Sequence, residues 1–464
     1  MRHSGPADRV PFIVFTGLLL WLPIPLGSNR PWAAMLSSGI IFVLCIWWSV
    51  LFLKKEVSIH RSFRKAWPAI TALLMCQCWV FISAITPYSP SSDFVVPAPP
   101  AAYFTVGSLD PAQSFQQLIL GLALTALFCL TLVLLNSRQR IKTVIYALIL
   151  SGVCQAVYGS LMTLSNVEYI LFLPKESNTG VTTGTFINRN HLAGYLELCL
   201  AVGIGFMIAT LNDRPASTWR DVGRRILEAL LGAKARVRIG IVMMVAALVM
   251  THSRMGNTAF FASMAITGII ALIFSKRASK PTIILLTSLV IIDILVVGTF
   301  FGIDRVVERI EETTLETTKR DEVDVYALGL LRDHPITGTG AGSFYGVFPQ
   351  YRQEEVGNVY FDHAHNDYLQ FAIEFGLLGF VPLAAFVFFT LITALGAQWQ
   401  RRDALMRGLS FSTIMAIIAF GIHSTVDFNL QIPANAATFM IILAMGWLSM
   451  FFRDSSLKSG RGIP

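Results

Sequence analysis

Apolar residues in this chain run in long unbroken stretches and do not alternate with polar ones as they would on a half-buried helix or strand. The stretches fall near residues 11–28, 32–53, 67–86, 116–136, 142–163, 191–211, 237–252, 257–275, 281–301, 366–396, 408–427 and 434–452. Such runs match the roughly 20 residues with which a helix crosses a hydrocarbon core about 30 Å thick. The pattern predicts an all-α polytopic membrane protein with about twelve transmembrane helices. The first stretch could pass for a secretory signal, but it lacks a small-residue cleavage site and carries Trp21, Pro23 and Pro25, so it is read as a span.

Composition agrees. Of 464 residues, 54% are hydrophobic and 14% charged, against roughly 25% charged in a soluble domain, which excludes a soluble globular protein. The six cysteines all lie inside apolar runs, as small buried hydrophobes do, and form no disulfide framework or C-x-x-C pair. The net charge of +8 would suggest a nucleic-acid partner in a soluble chain; here it is divided between two faces of a membrane. With the N-terminus inside, 26 of the 36 Lys and Arg fall in the segments on that side, with only 7 of the 28 acids. The positive-inside rule then places both termini in the cytoplasm.

The loops of the two faces differ in kind. Inside loops are short, except for the basic amphipathic stretch 212–236, expected to lie on the inner leaflet. Outside loops are long: 87–115, 164–190 and 302–365. The first, rich in proline, reads as an ordered cover or a tether. The chain divides into helices one to nine within 1–301, a large outer loop at 302–365, and three helices with a cytoplasmic tail at 366–464.

The chemistry gathers on the outer face. Arg30, Arg189, Arg254, Arg320 and Arg332 lie there although the positive-inside rule disfavours them. Guanidinium groups match phosphate oxygens in bidentate fashion, so Arg30, Arg189 and Arg254 converging at the boundary would suit a lipid diphosphate. The competing reading has them snorkel to headgroups or pair with the acidic loop. In Asp362-His363-Ala364-His365-Asn366-Asp367, residues two apart on a helix point about 200° away from each other, so a helical segment leaves one histidine structural. Asp362 as N-cap puts His365 in the first turn, where a neutral imidazole can accept a proton from a bound hydroxyl. The alternatives are a capping cluster, or an H-x-H metal site, for which no rigid soluble scaffold supplies further ligands.

Weaker signals complete the reading. Thr337-Gly338-Thr339-Gly340-Ala341-Gly342 is read as a turn before a phosphate-cradling loop, because no clear strand–helix unit flanks it. His423 and Asp427, four apart, form a local pair or line a cavity. Glu197 and Asp293 are intramembrane acids, functional or paired by default, and Glu197 follows Arg189 and His191 closely enough to orient them.

Together these segments resemble the O-antigen ligase and polymerase superfamily of bacterial envelope glycosyltransferases. The resemblance rests on Pro25-Leu26-Gly27 with Arg30-Pro31-Trp32, on Gly184-Thr185-Phe186 with Asn188 to His191, and on His252-Ser253-Arg254 with Gly256. It continues in Asp333-His334-Pro335 with Gly338, Gly340 and Phe344, and in His365-Asn366 through Leu369, Glu374, Gly376 and Gly379. It implies a membrane-embedded glycosyltransferase fold of the C type, in the inner membrane, acting at the periplasmic face without metal or other cofactor. The implied donor is a glycan on undecaprenyl diphosphate, and the acceptor a lipid A-core sugar or another glycan, among membrane lipids and without nucleic acid. Carried onto this sequence, it makes His365 catalytic and Arg189 and Arg254 diphosphate-binding, with Arg30 and Arg320 as further cations. His191, Glu197, His363, Asn366 and Asp367 are supporting; His191 is shared by only part of the superfamily. Ligases, chain polymerases and protein O-oligosaccharyltransferases are not separated by these motifs. A lipid or solute transporter would instead show broken helices near the midplane and an internal repeat. A non-enzymatic scaffold leaves the outer Arg and His unexplained.

Overall fold

A computed structural model describes residues 7–86, 106–210, 233–274, 323–351 and 361–453. Eleven of the twelve apolar stretches form helices: α1 (Arg9–Trp21), α2 (Pro31–Leu53), α3 (Trp67–Ile85), α4 (Pro111–Leu134), α5 (Arg138–Leu164), α6 (Arg189–Ala209), α7 (Ala233–Met250), α8 (Arg254–Phe274), α9 (Asp367–Gln400), α10 (Ala404–His423) and α11 (Pro433–Phe451). The stretch 281–301, Asp293 within it, and most of the loops 87–115 and 212–236 lie outside the described residues. Among the described residues, nine helices are long and apolar enough to cross a membrane. One small antiparallel pair, Tyr169–Ile170 with Leu173–Pro174, is the sheet content described. The chain is an all-α polytopic membrane protein.

The first stretch departs from expectation. Helix α1 has 13 residues and stops at Trp21, because Pro23 and Pro25 cannot continue an α-helical ladder. The chain turns there into a short 3-10 segment, Leu26–Ser28.

Helices α6 and α11 form the centre, each with 89% of its most apolar window buried, against 33% for α2 and 22% for α9. A helix that is apolar all round belongs in such a position. Helix α6 packs on α10 at a crossing where Gly205 and Gly408 face each other, so that a Cβ on either would strike the other's carbonyl oxygen. Small residues permit this approach, which is how membrane helices gain packing energy without a hydrophobic drive between them.

The two ends of the bundle are chemically distinct. At one, Arg140 makes a bidentate bond to Asp8 at 2.7 and 2.8 Å while its guanidinium lies over the Phe12 ring. Arg138 pairs with Asp403, and Arg401 donates to the Ser449 carbonyl at 2.9 Å. At the other end, the described part of the long loop forms a helical stretch at 323–333 and short turns at Phe344–Val347 and Phe348–Gln350. Val323, Ala327, Leu330, Phe344 and Phe348 bury against Ala364 and Ile373, a small core of its own.

Helix α9 is broken at Gly376, whose φ of 57° and ψ of −175° lie in a region essentially reserved for glycine. The glycine-rich segment 337–342 wraps this break and satisfies its backbone. Thr339 and Gly340 donate to the carbonyls of Ile373 and Glu374 at 2.9 Å each, and Leu377 and Leu378 donate to those of Pro335 and Ile336 at 2.9 and 3.1 Å. Trp79 donates its indole N–H to the Phe375 carbonyl at 2.9 Å. Gly376→Ala is expected to lose about 1–3 kcal/mol from backbone strain alone, and more because its Cβ would strike the backbone of Thr337 and Gly338. A thermal melt of the detergent-solubilised variant checks this; an unchanged midpoint would contradict it.

Candidate active site

Three arginines stand at the starts of three helices. Arg30 holds the N-cap position of α2, ahead of Pro31. Arg189 is the first residue of α6, behind the N-cap Asn188, whose side chain accepts from the Asn190 N–H at 2.8 Å. Arg254 is the first residue of α8. The starts of α6 and α8 touch, since a Cβ on Gly256 would meet Ala193. The segment before Arg30 packs on the segment before Arg189, with Gly27 against Phe186 and the Thr185 hydroxyl donating to the Pro23 carbonyl at 2.6 Å. Arg30 and Arg254 are exposed and Arg189 is half-buried. A cation at a helix N-terminus opposes the macrodipole; the same N–H groups and dipole favour a bound anion. Arginine and helix start together therefore make a site suited to anionic oxygen. Arg320 lies outside the described residues.

Beside these helix starts, three histidines meet on one ring. Phe428, buried in the connector between α10 and α11, is stacked by His363 at 4.2 Å between centroids. His191 and His365 approach it edge-on at 4.6 and 4.9 Å. This corrects the expected register. The N-cap of α9 is Asn366, whose side chain accepts from the Leu369 N–H at 3.1 Å, and not Asp362. His365 precedes the helix in a left-handed turn with φ of 52°, so the helical argument for turning one histidine away does not apply. Both face Phe428. His363 Nδ1 lies 3.0 Å from the Gln370 amide nitrogen, and burial holds its pKa below the ordinary imidazole value against the raising effects of Asp362 and Gln370.

Behind the ring lies a buried polar chain. His191 Nε2 is 3.7 Å from Asp427 Oδ1, and His423 Nε2 is 4.0 Å from Asp427 Oδ2. His423 Nδ1 meets Glu197 Oε1 at 2.7 Å. Thus His423 and Asp427 are the local pair expected, and they also join α6 to α10, which spacing within one helix could not reveal. Burial alone would raise the Asp427 pKa, yet His191, His423 and the Phe428 N–H hold it below the carboxylate range. Asp367 accepts from the Ser424 hydroxyl at 2.8 Å and the Leu430 N–H at 3.1 Å, and its own N–H reaches the Ser424 carbonyl at 3.0 Å. The start of α9 is thereby fixed to the turn that carries Phe428.

The glycine-rich segment is a turn, with Gly338, Gly340 and Gly342 all at positive φ. The acceptor it holds is the chain's own side chain: Glu374 accepts from Gly342 N–H at 2.8 Å, Phe344 N–H at 3.3 Å and the Gln370 amide at 3.1 Å. Phe428 carried no signal by itself; its place between Asp427 and Asn429, ahead of Pro433, was the available hint. Among the described residues no group of three or more His, Cys, Asp or Glu side chains has the arrangement to hold a metal ion.

A comparison with curated proteins returns no match. Residues 239–384 match the family model described as O-antigen ligase, a span that contains Arg254, His363, His365, the Asn366 cap and the Gly376 break. The match covers about a third of the chain; it agrees with the motifs and with the polytopic fold, and it supports the O-antigen ligase superfamily.

Proposed function

We propose that the protein is an O-antigen ligase, moving a glycan from undecaprenyl diphosphate to a hydroxyl of a lipid A-core sugar at the periplasmic face of the inner membrane. The observation that carries this reading is the meeting of His191, His363 and His365 on Phe428, beside helix starts headed by Arg30, Arg189 and Arg254. The donor diphosphate binds Arg189 and Arg254, with Arg30 and Arg320 as further cations. His365 takes the proton of the acceptor hydroxyl, whose oxygen attacks C1 from the face opposite the diphosphate. The C1–O bond breaks with inversion, and the bonding pair leaves on the diphosphate, whose growing charge the guanidinium groups stabilise. Glu374 and Asn366 hold the start of α9, Asp367 anchors it to the Phe428 turn, and Glu197 with His423 supports Asp427. The reaction draws its energy from the donor's phosphodiester and needs no metal.

Sidedness follows from charge, since the Lys/Arg-rich segments lie at the end opposite this site. Impermeant thiol reagents should leave cysteines introduced at 54–66, 212–236 and 397–407 unmodified in intact cells and should label those placed in 302–365. Labelling at 212–236 would invert the arrangement.

Polymerase and protein O-oligosaccharyltransferase remain the same chemistry with another acceptor. Acceptor competition separates them: lipid A-core, a second lipid-linked glycan and an acceptor protein are offered together to purified enzyme with one donor. Product on lipid A-core supports the ligase reading, and product only on another acceptor replaces it.

A further inference from the structure

The segment between α5 and α6 folds into a tight hairpin whose apolar tip has no place in the protein core. Leu171, Phe172 and Leu173 are 39%, 94% and 54% exposed, yet the hairpin beneath them is firmly built. Glu168 pairs with Lys175 at 3.2 Å and accepts from the Gly180 N–H at 2.7 Å, and Lys175 donates to the Val181 carbonyl at 3.0 Å. The Tyr158 hydroxyl of α5 accepts from the Leu171 N–H at 2.8 Å and so ties the tip to the helix.

Continuity with α5 identifies what covers the tip. Tyr146, Leu150, Leu161 and Leu164 are exposed along one stripe of this membrane-spanning helix, the side turned to lipid, and Tyr158 flanks that stripe. Helix α5 has 27 residues, about 40 Å at 1.5 Å per residue, against a hydrocarbon core of about 30 Å. Its last turns therefore rise to headgroup level. Tyr158 lies six residues before the helix end, roughly 9 Å back along the axis, which brings the tip it holds to the edge of the hydrocarbon.

We propose that Leu171-Phe172-Leu173 is an interfacial anchor that inserts into the bilayer leaflet at this end of the protein. The partner is lipid, met by an aromatic and two aliphatic side chains with the paired charges of Glu168 and Lys175 above them. The same unit leads into the start of α6, with Asn178 donating to the Ile187 carbonyl at 3.4 Å, so the anchor sets the height of Arg189 relative to the leaflet. The inference does not depend on the transfer reaction.

Spin labels at Phe172→Cys and, as the aqueous control, Glu176→Cys test it in full-length protein whose six native cysteines are replaced. The protein is placed in nanodiscs of phosphatidylethanolamine and phosphatidylglycerol, and collisions with oxygen and with a water-soluble nickel chelate are compared. The label at 172 should favour oxygen and the label at 176 the chelate. A chelate preference at 172 equal to that at 176 would overturn the anchor. So would a label at 172 shielded from both reagents, which would mean protein, such as a second copy of the chain, covers the tip.

Discussion

Arg189→Ala and Arg254→Ala are each expected to slow glycan transfer by about 30- to 1000-fold, the loss of about 2–4 kcal/mol from one charge-assisted contact to a leaving group. Both arginines head helices whose first turns touch, so under the proposed reading each would contribute a guanidinium and a set of backbone N–H groups to one anion position. The N–H groups remain in the alanine variants, and a residual rate should persist. The variants should still fold, because removing a cation from a helix N-terminus relieves its opposition to the macrodipole. Lysine at either position should restore only part of the rate, as a point charge without the planar fork. Initial rates with purified variants, alongside their melting curves, check this. A wild-type rate in either alanine variant removes that residue from the site.

His365→Ala should cost about 100-fold or more, the range of a positioned acid–base group, while donor binding is retained. His363→Ala should cost much less, because His363 serves as a stacking partner of Phe428 and a neighbour of Gln370. The pH profile gives a second reading. A neutral imidazole base works above its pKa, so the rate should fall as pH drops through the histidine range. His363 adds a stability component of the same sign. Its pKa is lowered on folding by burial, so the unfolded chain binds the proton more readily, and stability should decline as pH falls through the ordinary imidazole value near about 6.5. Measuring melting and rate together over that range separates the two. An inactive His363→Ala beside an active His365→Ala would transfer the base role two residues back.

Span positions were legible because lipid imposes one rule, a run of about 20 apolar residues; the orientation rests on charge asymmetry alone. The break at Gly376 was not legible, because it depends on which backbone groups find partners elsewhere, while the stop after Trp21 is written locally in Pro23 and Pro25 and was outweighed by the length of the apolar run. The glycines of 337–342 were recognisable as a turn, but only the fold shows that the N–H groups of Gly340 and Gly342 are spent on the break in α9 and on the Glu374 side chain. His365 and Arg254 stood out as polar residues at apolar boundaries. Phe428 could not, since an aromatic residue among apolar spans is unremarked until three imidazoles are seen against it. Glu197 was read as a partner for its sequence neighbours, whereas the bond described is to His423, 226 residues away, a pairing that no local spacing encodes.

The most direct test is turnover. Purified wild-type protein in nanodiscs is given a labelled glycan on polyprenyl diphosphate with a lipid A-core acceptor, in the presence of EDTA. Label is predicted on the acceptor with an equivalent release of lipid diphosphate, and His365→Ala is predicted to be nearly idle. Folded wild-type protein that releases no lipid diphosphate with any acceptor, or that carries the donor across the bilayer with its C1–O bond intact, would contradict the account.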